Sequence, residues 1–283
     1  MIRTLPSSKR YNFVFISYMC LFYLFLFAPL IVTSVLAFND SNFPTLPWKG
    51  FSLDWFLASG DRLGLFNDSN SLQSIVISIE TAFFVSLFSL IMGTIGAFLF
   101  ERESFRFKQA LYFLALTPLV VPGVILGIAL LLGTNSLGTY LEDNFAYDSE
   151  ILRPSFWLVV IGQFSFITTF VLLVVSARLK KFDNALYEAA LNLGATKFQA
   201  IRLVILPFLK PSLIGAGAVA FLMSFENFNT TLFLVGSDTT LPINLYLQVR
   251  DGSTPIINAI SFLLIISTSV LAILNLVLKK KEA

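Results

Sequence analysis

Long apolar runs separated by short polar stretches make up most of this chain. Six runs, at 13–38, 72–100, 110–133, 156–178, 213–235 and 256–278, are each long and apolar enough to read as a helix crossing a bilayer, which needs about 20 mostly apolar residues. The predicted fold is therefore an all-α integral membrane domain of six transmembrane helices. The first run reads as a retained helix, because Phe38-Asn39-Asp40 follows it and no small-residue cleavage site is present.

Composition agrees with the pattern. Of 283 residues 56% are hydrophobic, 31 are Phe, and only 13% are charged, against about 25% charged in soluble domains. A net charge of +2 with no recurrent basic face gives no reason to expect nucleic acid. With one Cys and no His, an internal disulfide, a Cys/His zinc site and a Ser-His or Cys-His nucleophile are all excluded. Cys20 reads as a small core hydrophobe in an apolar run.

The placement of Lys and Arg adds an orientation. Fifteen of the 19 fall on one side of the predicted spans: at Arg3, Lys9 and Arg10, at Arg102, Arg106 and Lys108, at Arg178 to Lys210, and at Lys279 to Lys281. Only Lys49, Arg62, Arg153 and Arg250 fall on the other. By the positive-inside rule both termini are cytoplasmic, as an even number of spans requires. The expected organisation is a cytoplasmic N-terminus at 1–12, a membrane domain at 13–278 and a cytoplasmic tail at 279–283. The outer loops, 39–71, 134–155 and 236–255, hold Asp40, Asp54, Asp61, Asp68, Glu142, Asp143, Asp148 and Glu150. They read either as ordinary solvated surface or as a docking face for an extracytoplasmic partner. The string FNDSN recurs at 38–42 and 66–70, where its Asn, Asp and Ser suit turns.

The stretch 183–207, on the positive side, has a different pattern. Asp183 is placed to cap a helix through Leu193, and Gly194 suits the left-handed residue that ends it. Thr196-Lys-Phe-Gln199 matches a capping box opening a second helix, which Pro207 is expected to limit. Leu186, Ala189, Ala190 and Leu193 share one face of the first helix, while Glu188 and Asn192 share another. Two short amphipathic helices at an angle could fit a cleft in a cytosolic partner, or could lie on the lipid headgroups.

Glu188-Ala189-Ala190, then Gly194, then Val204-Ile-Leu206-Pro207 resembles the EAA loop (EAA-x3-G-x9-I-x-L-P) of ABC importer permeases, with Val204 as the one departure. The resemblance implies a type I importer-like permease fold in the bacterial inner membrane. It also implies that Glu188, Ala189, Ala190, Gly194, Leu206 and Pro207 couple the spans to a separate ATPase. Further partners implied are a second, homologous permease and an extracytoplasmic substrate-binding protein. Phe38-Asn39 with Trp48-Lys-Gly-Phe51, Ala177 to Asp183, Ser224 to Asn227, Phe233 to Gly236 and Thr254 to Ala259 are similar to the spermidine/putrescine permeases, in particular the second, C-type partner of such a pair.

Two carboxylates fall inside predicted spans, Glu226 near the middle of the fifth and Glu80 near the start of the second. A charge in mid-membrane normally faces a bundle interior, a partner or a water-filled cavity. On a continuous helix Glu226, Asn229 and Thr230 would share a face, with Asn227 and Thr231 beside it. One reading is a path for cations, in which a carboxylate and amide oxygens stabilise an ammonium; the other is a structural hydrogen-bond network. In the resembling permeases an acidic pair occupies this place, whereas the second position here is Asn227. Glu80 reads either as path or as structural contact. Gly93, Gly96, Ala97, Gly215, Gly217, Ala218 and Ala220 suit close helix approach, and Pro118, Pro122 and Gly123 should kink or break the third span.

No GxxxxGK[ST] loop is present, so ATP and Mg are expected in a partner chain, with no cofactor, metal or catalytic residue in this one. The expectation is a permease subunit of an ATP-driven importer, with polyamines as cargo. The alternatives are ferric iron or another small solute in the same class, an ion-gradient-driven secondary carrier, and a scaffold that transports nothing.

Overall fold

Residues 9–44, 46–59, 62–252 and 254–282 are described by the structure, a computed structural model. Arg3, Asp61 and the first part of the expected N-terminal segment lie outside the described residues. Among the described residues the chain is all-helical, with no strand beyond two isolated bridges. Five helices are long and apolar enough to cross a membrane: Tyr11–Leu36, Ser69–Arg102, Gly123–Phe145, Phe156–Leu179 and Lys197–Phe225. In a bilayer only structures that satisfy their own backbone polar groups can span, and helices do so residue by residue. A further apolar stretch, Ile256–Val270, is shorter and is not among the five.

Contacts divide the chain into two units, residues 1–72 with 245–283, and residues 73–244. In the first unit α1 (Lys9–Leu36) packs against α12 (Ile256–Glu282). The rings of Phe38, Phe51, Phe56 and Phe262 cluster there, with Phe38 and Phe262 edge to face at 4.8 Å. The connecting loop is built by its polar residues. The Asn39 side chain accepts from Lys49 N at 2.8 Å, and Trp55 Nε1 donates to the Asn39 carbonyl at 3.1 Å. Arg62 pairs with Asp40 and Asp54 and lies over Trp55. The hydrogen bond that Arg62 donates to Asp40 raises the pKa of the guanidinium further. The repeated FNDSN strings do different local work. Asn67 donates to the carbonyls of Leu57 and Ala58, while Asp68 accepts from Ser71 just ahead of α3 (Ser69–Arg102). Cys20 is exposed on α1, which corrects the expectation of a core position. A helix with almost every side chain outward contributes little core within one chain.

The second unit is organised around α6 (Phe156–Leu179), whose Leu158, Ile167, Val171 and Val175 are fully enclosed. α6 packs against α9 (Leu206–Phe225) and α4 (Lys108–Val120). Small residues permit part of this. A Cβ on Gly93 would lie 2.8 Å from Val171 Cβ and 3.0 Å from the Leu172 backbone nitrogen, and one on Gly217 would meet Leu90 Cδ1 at 2.8 Å. At Gly215, by contrast, a Cβ would meet nothing within 4 Å, so close approach does not explain that glycine. Gly93→Ala is expected to cost about 1–3 kcal/mol through overpacking, read as a lower melting temperature of the detergent-purified protein; an unchanged melting temperature would refute the tight contact.

The expected break in the third span forms, and several other boundaries differ from the sequence expectation. The third predicted span is two helices, α4 and α5 (Gly123–Phe145), broken at Val121-Pro122, and α5 extends well beyond residue 133. Pro122 cannot donate a backbone hydrogen bond and disfavours helical geometry at the residue before it, so the break falls there. Pro118 remains inside α4. Pro207 does not end the second helix of the 183–207 stretch. α8 (Lys197–Ala200) continues through a π-helical segment, Ile201–Ile205, directly into α9. The wider turn ahead of Pro207 absorbs its missing N–H, and Leu206 N donates five residues back to Ile201 O. The fifth helix therefore starts earlier than expected and also stops earlier, at Phe225 rather than 235. In the expected outer loop 236–255 the structure has a further helix, α11 (Leu241–Asp251).

Candidate functional site

The polar stripe of the fifth predicted span is a turn. α9 ends at Phe225, Glu226 N closes the helix on Leu222 O at 3.0 Å, and Asn227 N bonds to Ser224 O at 3.1 Å. α10 (Thr231–Leu234) begins immediately afterwards. The helical face expected to join Glu226, Asn229 and Thr230 therefore does not form. The residues are nonetheless brought close by the turn itself.

A buried network holds that turn. Gln163, on α6 and fully enclosed, donates from Nε2 to Thr231 Oγ1 at 2.8 Å and accepts from Ser224 Oγ. Thr231 Oγ1 in turn donates to Asn227 Oδ1 at 3.0 Å, and that oxygen also accepts from Thr231 N at 3.3 Å. One amide thus ties the end of α9 to the start of α10. Gln163 was not singled out from the sequence. It is a lone amide in an otherwise apolar run, and that isolation was the available signal. Close packing adds to the network: a Cβ on Gly127 would lie 2.8 Å from the Thr230 carbonyl oxygen.

Opposite the turn lies the break between α4 and α5. The two enclose a cavity of about 370 Å³ whose lining includes Val121, Pro122, Gly123, Asn227, Asn229 and Thr230. Three of the candidate path residues thus face one space. Thr230 is fully buried and its Oγ1 has no hydrogen-bond partner among the described residues. Glu226 is exposed just beyond this lining, at the C-terminal end of a long helix. The carboxylate and the helix dipole both favour a cation there. Glu80, on α3, is also exposed and lies apart from the cavity lining.

The second candidate locus is the stretch 183–207. Asp183 accepts from Ala185 N at 2.9 Å as the cap of α7 (Asn184–Asn192). Gly194 has φ +90°, the left-handed conformation its place after the helix requires. Thr196 and Gln199 form the full capping box of α8. No residue of α7 is buried. Tyr187 turns inward, and Arg102 lies between its ring and that of Phe182, at 5.5 and 5.2 Å. The outward face is apolar: Leu186 is 53% exposed, Leu193 89% and Phe198 70%. Glu188 and Ala189 are exposed beside them. Leu206 and Pro207 lie in the first turn of α9, at the end of this stretch.

A family described as "Binding-protein-dependent transport system inner membrane component" matches residues 87–282, a range that holds both loci. The chain belongs to that family. This inner-membrane component is 27% identical to the spermidine/putrescine transport system permease protein PotC of Haemophilus influenzae, over 94% of this chain and 96% of that one. It is 31% identical to the putrescine transport system permease protein PotI of Escherichia coli, over 85% and 82% of the two chains. Its fold is that of a chain in the crystal structure of a bacterial ABC transporter involved in the import of alginate, with a TM-score of 0.71 at 16% identity, covering 95% of both. A second structure of an alginate ABC transporter, in complex with a periplasmic protein, matches with the same TM-score over 93% of this chain and 91% of that one. The expected class, a multi-pass permease of the ABC importer kind, is borne out by these likenesses.

Proposed function

We propose that this chain is one of two homologous permeases in an ATP-driven importer of polyamines, with six spans and both termini in the cytoplasm. Cargo reaches it from an extracytoplasmic binding protein and crosses past the turn 226–230. A separate ATPase, which holds the ATP and Mg, docks on the 183–207 projection. The observation that carries the coupling role is the unburied α7, with Leu186, Leu193 and Phe198 facing outward next to Glu188. An apolar face of this kind, with no cover among the described residues, suits a cleft in a partner. Support for polyamine cargo comes from the two relatives, which are named as permeases of a spermidine/putrescine and a putrescine transport system.

In this proposal closure of the ATPases pushes α7 and α8. Because α8 runs through the π segment into α9 without a break, the push acts on the far end of α9, where Glu226 sits. Displacing that end moves the turn against the α4–α5 break and opens or closes the path. Glu226 attracts the ammonium groups, while Asn227, Asn229 and Thr230 offer neutral polar groups in the cavity. Glu80 is a second carboxylate available to the path.

The test is uptake of labelled putrescine and spermidine into vesicles holding this chain with its co-expressed permease, ATPase and binding protein, with and without ATP. ATP-dependent uptake is expected, reduced about tenfold or more in Glu226→Gln, which removes one charge and leaves the fold. ATP-driven transport of another solute, with no polyamine response, would overturn the cargo. Uptake driven by an ion gradient without ATP would overturn the class.

A further inference from the structure

The second unit carries a larger cavity than the one at the turn, and transport chemistry does not use it. It is a groove of about 790 Å³ between the second half of α3 and the 197–213 segment. Its walls are apolar along most of its length, with Leu90, Ile95 and Phe98 on one side and Ile205 and Leu213 on the other. One end is charged: Arg102 and Lys197 line it, with Glu103 as the only carboxylate. Arg102 stacks between the rings of Phe182 and Tyr187, and its Nη2 has no hydrogen-bond partner among the described residues. A buried unsatisfied donor of that kind is costly unless something accepts from it.

We infer that this groove is a binding site for one anionic phospholipid, its phosphate at Arg102 and Lys197 and an acyl chain along the apolar walls. Two features select this occupant. From Leu90 to Arg102 the α3 wall runs for about 18 Å at 1.5 Å per residue, close to the roughly 15 Å depth of one leaflet's hydrocarbon. The cations lie at one end of that wall, as a lipid with its headgroup at the interface requires, and basic pockets between membrane helices bind anionic headgroups. Lys197 opens α8 and Tyr187, also in the lining, belongs to α7. The lipid thus touches both helices of the projection proposed to dock the ATPase, and its presence braces them against α3.

The assembled complex, purified in mild detergent, is exchanged into phosphatidylglycerol or phosphatidylcholine and retained lipid is counted by native mass spectrometry. Retention of phosphatidylglycerol about tenfold or more above phosphatidylcholine is expected, as two charge-assisted contacts imply. Lys197→Gln should remove most of that preference. Ile95→Trp, which fills the apolar wall and changes no charge, should abolish retention; a site for free phosphate would survive it. Arg102→Gln also removes the stacking on Phe182 and Tyr187, so the two other variants carry the test. Equal retention of both lipids, or phosphatidylglycerol retention unchanged in Lys197→Gln and Ile95→Trp, would overturn the site. So would an efficient cross-link from Ile95→Cys to the second permease, which would place a protein helix in the groove. Transport is not read in this experiment, so its failure would leave the importer proposal standing.

Discussion

Gly194→Val is expected to eliminate ATP-driven putrescine uptake while the chain still inserts in the membrane at its normal level. The glycine has φ +90°, and a Cβ there would meet nothing within 4 Å. Space is therefore not the obstacle; backbone conformation is. A β-branched residue held in the left-handed region costs roughly 1–2 kcal/mol, and the exposed loop can escape that cost by rotating α7 away from its angle with α8. The spans on either side need not change, which separates this defect from misfolding. Because each 1.4 kcal/mol of docking energy is about a tenfold change in affinity, even partial misalignment of the projection should release the ATPase during purification. Gly194→Asn, which tolerates the left-handed conformation, should retain most of the activity. Glu188→Lys supplies an independent check, since it reverses a charge on the exposed surface of α7 and leaves the backbone alone. If Gly194→Val copurified with the ATPase and imported normally, the projection would not be the coupling element.

That loop is also where the sequence was most legible. Asp183, Gly194, Thr196 and Gln199 act through local hydrogen bonds or backbone conformation, and each takes the role its residue type suggests. Local rules read from neighbours in sequence succeed when the structure is made by neighbours in sequence. The break at Pro122 was legible for the same reason. Pro207 was misread because its effect depends on the five preceding residues adopting a π turn, and no single residue type announces that. The turn at 226–230 was misread because the segment stays apolar up to Phe225 and again from Leu232, so hydropathy carries one span across it. The turn is held by Gln163, 61 residues from Ser224 and 68 from Thr231 in sequence, and periodicity cannot register such a partner. Of the candidate path residues, the turn brings Asn227, Asn229 and Thr230 to one cavity, while Glu226 and Glu80 lie outside its lining. Polar residues in an apolar run must meet something, whether a helix face or, as here, a turn lining a cavity brings them together.

Gln163→Leu should therefore do more damage than its place in the middle of an apolar helix suggests. Leucine has similar volume and suits the surroundings, so packing alone predicts a tolerated change. The network predicts otherwise, because Thr231 Oγ1 loses its donor and Ser224 Oγ loses its acceptor at once. Both hydroxyls lie in fully or nearly fully buried residues. Hydrogen bonds between membrane helices average about 0.6 kcal/mol each, while stranding a buried polar group costs roughly 1–3 kcal/mol. Thr231 Oγ1 keeps its bond to Asn227, so the smaller figure applies to it. Ser224 loses its acceptor but sits on α9 and can turn to a carbonyl of its own helix, which limits its cost. The sum is a loss of about 1–2 kcal/mol, visible as a lower melting temperature of the purified permease. Function should fall further than stability, because the amide is what fixes the end of α9 against the start of α10. With it gone, a push transmitted along α9 is absorbed by the turn instead of moving it against Val121 and Pro122. Putrescine uptake should drop about tenfold or more, while ATPase docking at the distant 183–207 projection stays intact. Ser224→Ala, which leaves the Gln163–Thr231 bond in place, should be mild in both assays. If Gln163→Leu lost stability but kept normal uptake, the network would be a structural tie alone, and the turn would have no part in moving the cargo.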